Sequence, residues 1–331
     1  MKVLILGIAI FLFLYPLFFP LSLRNFPFPP EGERVEFYVY PGTSFLSLAQ
    51  ELEKRGIIGR SDIFLEELRR NPLVLRAGRY ILRKHMSIYD AISALRRKPA
   101  LEKVVIPEGL TAREIAELFL KRGVISSKDE FLKLVSGGKN LFKFKYARYI
   151  PSSSLEGYLF PETYYFPKGA SPKSVISVML RAFERVITTD MLNQLPKLGL
   201  KFHQVITLAS IVEKEALKPR EYPLIAAVFY NRLKRGMKLQ SCATVEYLLP
   251  ERKKRLALKD LKIDSPYNTY VHKGLPPGPI CNPGERAIRA AFFPAKVNYL
   301  YFVSKGNGEH YFSRTYKEHV RAKAKYLRKT R

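Results

Sequence analysis

Between Val3 and Leu23 the chain reads VLILGIAIFLFLYPLFFPLSL, 21 residues without a charge. A helix of about 20 apolar residues is what crosses the hydrocarbon of a bilayer. Pro16 and Pro20 are tolerated in such a span. A cleaved signal peptide would need a small-residue cleavage site, and Ser22-Leu23-Arg24 supplies none. The expectation is an uncleaved single-pass anchor. The short tail with Lys2 stays inside and the body lies outside the cytoplasm.

That topology changes how the charge is read. The 331 residues carry 57 Lys+Arg against 29 Asp+Glu, a net +28, which asks for an anionic partner. For a body outside the cytoplasm, anionic headgroups and cell-wall polymers are the available partners, and nucleic acid is not. A 47% hydrophobic share supports a packed core. Two cysteines, Cys242 and Cys281, make neither a disulfide framework nor a four-thiolate zinc site. The five histidines lack metal-ligand spacing, and no phosphate-cradling glycine loop occurs. No metal and no cofactor are expected.

After a Pro-rich spacer (25–34) the chain repeats itself. Val39–Glu67 and Val105–Lys133 align Ala49 with Ala116, Arg55-Gly56 with Arg122-Gly123 and Asp62 with Asp129, all 67 residues apart. Each copy predicts a strand, a Pro/Gly turn, an amphipathic helix, a glycine cap and a second helix. Thr43 or Ser44 and Thr111 are the N-cap candidates, and Gly56 and Gly123 suit left-handed C-cap positions. Between the copies, Ala77–Lys98 reads as a strand and a helix. Two helices on short strands resemble the LysM glycan-binding module; a purely structural α+β repeat fits the pattern equally. Residues 136–154 read as a linker or mobile loop. The expected organisation is α+β: a transmembrane anchor (1–24), linker (25–34), LysM-like α/β region (35–100), second repeat unit and linker (101–150), and a mixed α+β catalytic domain (151–331). Within the last, helices are expected around Leu180–Ala182, Val205–Ala216 and Tyr222–Leu233, with a hairpin at Asn298–Ser304 and Gly308–Ser313 and a basic helix from Thr315.

The segment Thr207–Glu215 (TLASIVEKE) concentrates the chemistry. At 100° per residue Glu213 and Glu215 project about 200° apart, so they cannot act as a carboxylate pair. Each flanks the apolar stripe of Val205, Leu208, Ala209 and Val212 on a different side. An apolar surround raises a carboxyl pKa, as a general acid requires. Geometry leaves both residues in play. Four loop stretches combine aromatic rings with amides and hydroxyls: Glu156–Tyr164, Gln240–Tyr247, Ser265–Tyr270 and Gly274–Pro279. A sugar cleft uses such groups, rings for stacking and amides for hydroxyl and acetamido groups. Asn268 and Thr269 also suit simple turn formation.

The stretches EGYLFPETY (156–164), LASIVEKE (208–215), VFYNRLKRGMKLQS (228–241), SPYNTY (265–270), GLPPGPICNPG (274–284) and YLYFVSKGNGEHYFS (299–313) resemble the YceG/MltG family of endolytic murein transglycosylases. The resemblance runs through nearly the whole chain. It implies a single-pass inner-membrane protein that cuts nascent peptidoglycan strands internally, with peptidoglycan synthases as possible partners. It assigns the catalytic role to the second glutamate of E-K-E, Glu215. Two departures stand out. Cys242-Ala243 replaces the usual Asp-Pro, and Val320 replaces a usual Asn.

The chemistry implied needs one carboxyl group. Glu215 would protonate the oxygen between MurNAc and GlcNAc, and the 6-hydroxyl of the MurNAc would close to a 1,6-anhydro end. Substrate-binding candidates are Gln240, Asn268 and Thr269 for the MurNAc and its acetamido group, and Tyr158, Tyr164 and Tyr267 for stacking. Glu162, Glu156 and Glu213 are candidates for polar sugar contacts. Two other readings are a hydrolase that uses water and a non-catalytic glycan-binding anchor.

Overall fold

The computed structural model describes residues 32–39, 43–151, 154–251 and 256–327. The apolar run 3–23 and nearly all of the Pro-rich spacer lie outside them. No helix among the described residues is long and apolar enough to cross a membrane. The chain forms a mixed α+β structure with small two-stranded sheets, in two units. One takes Met1–Glu102 with Tyr165–Ala170, and the other takes Lys103–Tyr164 with Ser171–Arg331.

The first unit starts with strand β1 (Arg34–Val39), followed by helices α1 (Phe45–Lys54) and α2 (Ser61–Arg70), strand β2 (Gly78–Arg83) and helix α3 (Ile88–Arg96). β1 and β2 pair antiparallel from Arg34↔Arg83 to Val39↔Gly78. Alternate residues Phe37, Val39, Tyr80 and Leu82 point inward onto Leu48, Leu52, Phe64 and Ile92, as a half-buried sheet requires. Ser44 caps α1 by accepting from the Ser47 amide at 3.1 Å. The helix stops at Gly56, where φ is +65°. Gly78 has no room for a side chain, since a Cβ there would lie 2.7 Å from both Pro99 and Pro167.

Strand β3 (Leu101–Val105) pairs with β4 (Thr163–Pro167) where the chain passes between units. The second repeat copy follows as α4 (Ala112–Lys121) and α5 (Lys128–Gly137). Thr111 caps α4 in a reciprocal capping box with Glu114. The second copy thus belongs to a different unit from the first.

Residues 138–151 correct the expectation of a linker. They make two 3₁₀ turns, Lys139–Leu141 and Ala147–Tyr149, and bury Phe142, Phe144, Tyr146 and Ile150. The Tyr146 ring stacks on Phe202 at 4.9 Å, and Phe144 meets Tyr158 edge-on at 5.7 Å. The apolar residues recur at every second position, a spacing a mobile loop does not keep.

Helices α6 (Pro172–Val186), α7 (Thr189–Leu198), α8 (Phe202–Glu215) and α9 (Tyr222–Lys234) build the core of the second unit. α8 is buried at every residue from Phe202 to Val212 except Gln204. It packs on α9, on the short α10 (Cys242–Glu246) and on α11 (Glu285–Phe292). The chain closes with the antiparallel hairpin β5 (Tyr301–Ser304) and β6 (His310–Ser313) and with α12 (Tyr316–Leu327).

Candidate functional site

α8 carries its apolar residues to Val212 and then presents Glu213 and Glu215, both partly buried. Glu215, the last residue of the helix, is partly buried, and its Oε1 accepts a 2.5 Å hydrogen bond from the Ser241 hydroxyl. Burial raises its pKa. The Ser241 bond and the neighbouring His310 and Arg232 pull the other way, while Glu246 pushes it further up. Glu213 points elsewhere, as the helical phase requires. Its Oε2 accepts from the Gly284 amide at 2.9 Å and its Oε1 from the Tyr222 hydroxyl at 3.3 Å. It ties α8 to the starts of α9 and α11, and burial raises its pKa too. Among the described residues the two glutamates have no hydrogen-bond partner in common.

The hydroxyl on Glu215 is held by a layered loop. After α9 the chain turns at Gly236 and reaches Gln240, whose φ of +49° is rare for a residue with a side chain. The Gln240 amide donates to the Thr269 carbonyl at 3.1 Å, and the Ser241 amide to the Thr269 hydroxyl at 3.1 Å. Thr244 and Thr269 join their hydroxyls at 2.8 Å. Asn268 is wholly buried: its Nδ2 donates to the carbonyls of Leu261 and Ile263, and its Oδ1 accepts from the Tyr270 amide. Asn268 and Thr269 therefore hold the loop that aims Ser241. Gln240 is exposed beside them, with its side-chain carboxamide uncommitted among the described residues.

Several candidates lie away from any cleft. Tyr158 is fully buried, and its hydroxyl meets His203 Nδ1 at 2.7 Å. Tyr164 is buried and donates to the Phe160 carbonyl at 2.6 Å. Neither offers a ring face to a sugar. Glu162 is exposed and pairs with Arg185 at 3.0 Å. Tyr267 keeps some exposure, its ring 5.2 Å from that of Tyr247.

Three residues that sequence reasoning left unassigned organise the site. Arg232 on α9 is buried and donates to the carbonyls of Leu239 and Leu300, each at 2.7 Å, so that its charge is fixed near Glu215. His310 meets Glu221 at 2.8 Å. Asn282, 1% exposed, joins three segments. Its Oδ1 accepts from the amides of Gly157 and Leu159, and its Nδ2 donates to the Leu110 carbonyl and to Glu156 Oε1. A run of long-range polar contacts converging on one asparagine leaves no local pattern to read.

Residues 37–325 match the family model described as the YceG-like family. The chain belongs to the YceG-like family. An endolytic murein transglycosylase of Bacillus subtilis (strain 168) is 35% identical over 307 residues, 88% of this chain and 85% of that protein. One of Streptococcus pneumoniae (strain D39) is 30% identical over 320 residues, 86% of this chain but 57% of that longer protein. A crystal structure of a YceG-like protein from Listeria monocytogenes superposes with a TM-score of 0.61 at 34% identity, covering 87% of this chain and 98% of that one.

In this YceG-like chain Cys242 stands directly beside the Ser241–Glu215 bond. It is exposed, and its Sγ lies 3.1 Å from the Tyr270 hydroxyl. Burial of the sulfur raises its pKa, which keeps the thiol protonated. Glu156 lies deeper. Burial lifts its carboxyl to about 7, against the opposing bonds from the Ala112 and Gly157 amides and from Asn282.

Proposed function

We propose that the chain is an endolytic murein transglycosylase, a lyase, and that Glu215 is its acid and base. The observation that carries this reading is a carboxyl group of raised pKa, hydrogen-bonded by Ser241, at the end of the buried helix of a YceG-like protein. The family relatives of Bacillus and Streptococcus bear that activity in their names.

The protonated Glu215 gives its proton to the glycosidic oxygen between MurNAc and GlcNAc as that bond breaks. Positive charge develops at the MurNAc anomeric carbon. The 6-hydroxyl of the same sugar attacks that carbon and yields its proton to the Glu215 carboxylate. The acid is regenerated, no water is consumed, and the products are a 1,6-anhydro-MurNAc end and a GlcNAc hydroxyl. An internal nucleophile has a high effective molarity, so a second carboxylate at hydrolase spacing is dispensable. Burial favours the protonated form of the acid, and the Ser241 hydroxyl holds it in one orientation and steadies it when ionised. The exposed Gln240 amide is the group placed to meet the sugar. Asn268 and Thr269 act as positioning residues behind it.

Around this centre we place a single-pass anchor at residues 3–23, a body outside the cytoplasm, and a glycan-holding role for the β1–α1–α2–β2 arrangement of the first unit. The +28 charge suits a body between anionic headgroups and wall polymers. The test is digestion of nascent glycan strands with the native chain and Glu215→Gln, with end groups read by mass spectrometry. Anhydro ends from the native chain, and loss of about 10² to 10⁴ in rate for the variant, are expected. Reducing ends would replace this reading with a water-using hydrolase. Full activity in the variant would end it.

A further inference from the structure

A cavity of about 630 Å³ opens beside α10, bounded by the N-terminus of α4, by α5, by the end of α8 and by residues 243–250. It reaches Ala243 and Glu246, two and five residues past the Ser241 that holds Glu215. The second repeat copy thus forms a wall of a space that begins one short helix away from the proposed acid.

The charges around this cavity are of two kinds. Glu114, Glu156 and Lys214 are committed to the backbone: Glu114 closes the capping box at Thr111, both Glu156 oxygens lie 3.0 Å from the Ala112 amide, and Lys214 Nζ donates to the Gly109 carbonyl at 3.2 Å. Arg113 and Lys133 line the cavity from α4 and α5, are exposed, and have no carboxylate partner among the described residues. At the end toward Glu215, Glu246 lines it with no hydrogen-bonded or ion-paired side-chain partner among the described residues. The lining also holds the aliphatic side chains of Leu132, Val135 and Leu248 and the hydroxyl residues Thr111, Ser136 and Ser154. Tyr247 is its only aromatic ring among the described residues, and that ring already packs on Tyr267.

This lining does not suit the glycan backbone alone: its hydroxyl and acetamido groups are neutral, its faces seek open aromatic rings, and the one carboxylate of each MurNAc, free only when the peptide is removed, is short and fixed to the sugar itself. It suits an extended group with aliphatic side chains, a carboxylate at one end and an N–H or ammonium toward the other. Murein carries such a group, since short peptides with free carboxylates are attached to its acidic sugar. Resting on the function proposed above, we propose that this cavity is the subsite for the murein peptide, with Arg113 and Lys133 receiving its carboxylate and Glu246 its nitrogen. The α10 helix spans about 7 Å, so a peptide hung from the sugar at Glu215 enters the cavity after one or two extended residues.

The test uses the full chain and two readouts. In the first, kcat/KM is measured on peptide-bearing glycan strands and on strands stripped of peptide by an amidase, for the native chain and for Arg113→Ala/Lys133→Ala. The ratio between the two substrates falls about tenfold in the double variant, through KM, and Lys133→Arg retains it. In the second, the free peptide released by the amidase is titrated calorimetrically against both proteins, and the native chain binds it at least tenfold more tightly. A ratio equal in the two proteins together with equal peptide binding overturns the proposal and assigns the cavity to sugar or to structure alone. Peptide binding lost in the variant while the native chain cuts neither substrate supports the subsite and overturns the transglycosylase reading instead.

Discussion

Replacing Asn282 with alanine tests whether the site is assembled by one buried amide. Its Oδ1 is the acceptor for the amides of Gly157 and Leu159, both at 2.9 Å, and both residues are buried. The Leu110 carbonyl keeps a partner, because the Asn282 backbone amide also donates to it at 2.9 Å. Two N–H groups are therefore orphaned, each worth about 1 to 3 kcal/mol. Neighbouring losses are not fully additive, so the expected destabilisation of the second unit is about 3 kcal/mol, roughly 6 to 12 °C in Tm. Urea unfolding followed by tyrosine fluorescence measures it. Asn282→Asp is the companion variant. It keeps the oxygen that accepts from both amides, loses the Nδ2 donor, and sets a second carboxylate against Glu156, whose pKa is pushed up to about 7. It should track the native chain at pH 6, where the pair shares a proton, and fall away above pH 7. An Asn282→Ala loss under about 1 kcal/mol, or an Asn282→Asp that follows Asn282→Ala at every pH, would refute the reasoning.

Removing the Ser241 hydroxyl deletes the donor that favours ionised Glu215, so Ser241→Ala raises that pKa further. The alkaline limb of the kcat/KM profile, where the acid form is lost, then moves to higher pH; a limb that stays put or moves down contradicts the assignment. Glu156 is protonated more readily folded than unfolded, so it favours folding least once pH rises past both values, and native stability declines between about pH 4.5 and 7. Glu156→Gln removes that decline, and its stability relative to the native chain should improve across this window in urea melts at successive pH values. A difference independent of pH would count against the buried carboxyl.

What the sequence disclosed was local. Ser44, Thr111, Gly56 and Gly123 announce their helix ends because capping is settled within a few residues. The divergence of Glu213 and Glu215 follows from helical phase alone, and the structure sends them to Gly284 and Ser241 respectively. What it withheld was the partner across the fold. Asn268 and Tyr158 have the composition of sugar contacts, but their polar atoms are consumed by Leu261, Ile263 and His203. Arg232 looks like any helix-surface cation until its carbonyl partners at Leu239 and Leu300 are seen. The aromatic alternation of 142–146 was visible, yet only the packing of Phe144 and Tyr146 on Phe183 and Phe202 explains it.

The six residues 165–170 cross back into the first unit before the chain resumes the second. There Phe166 is 4% exposed, Pro167 abuts Gly78, and the Lys168 ammonium sits 5.9 Å over the Tyr38 ring. No single cut therefore frees either half intact. A shortened polypeptide starting near residue 103 would retain this hexapeptide stripped of its cover, with a phenylalanine newly wetted, while an amino-terminal fragment ending at 102 would leave a notch over Gly78 and Tyr38. The two units are better probed with point changes than with scissors.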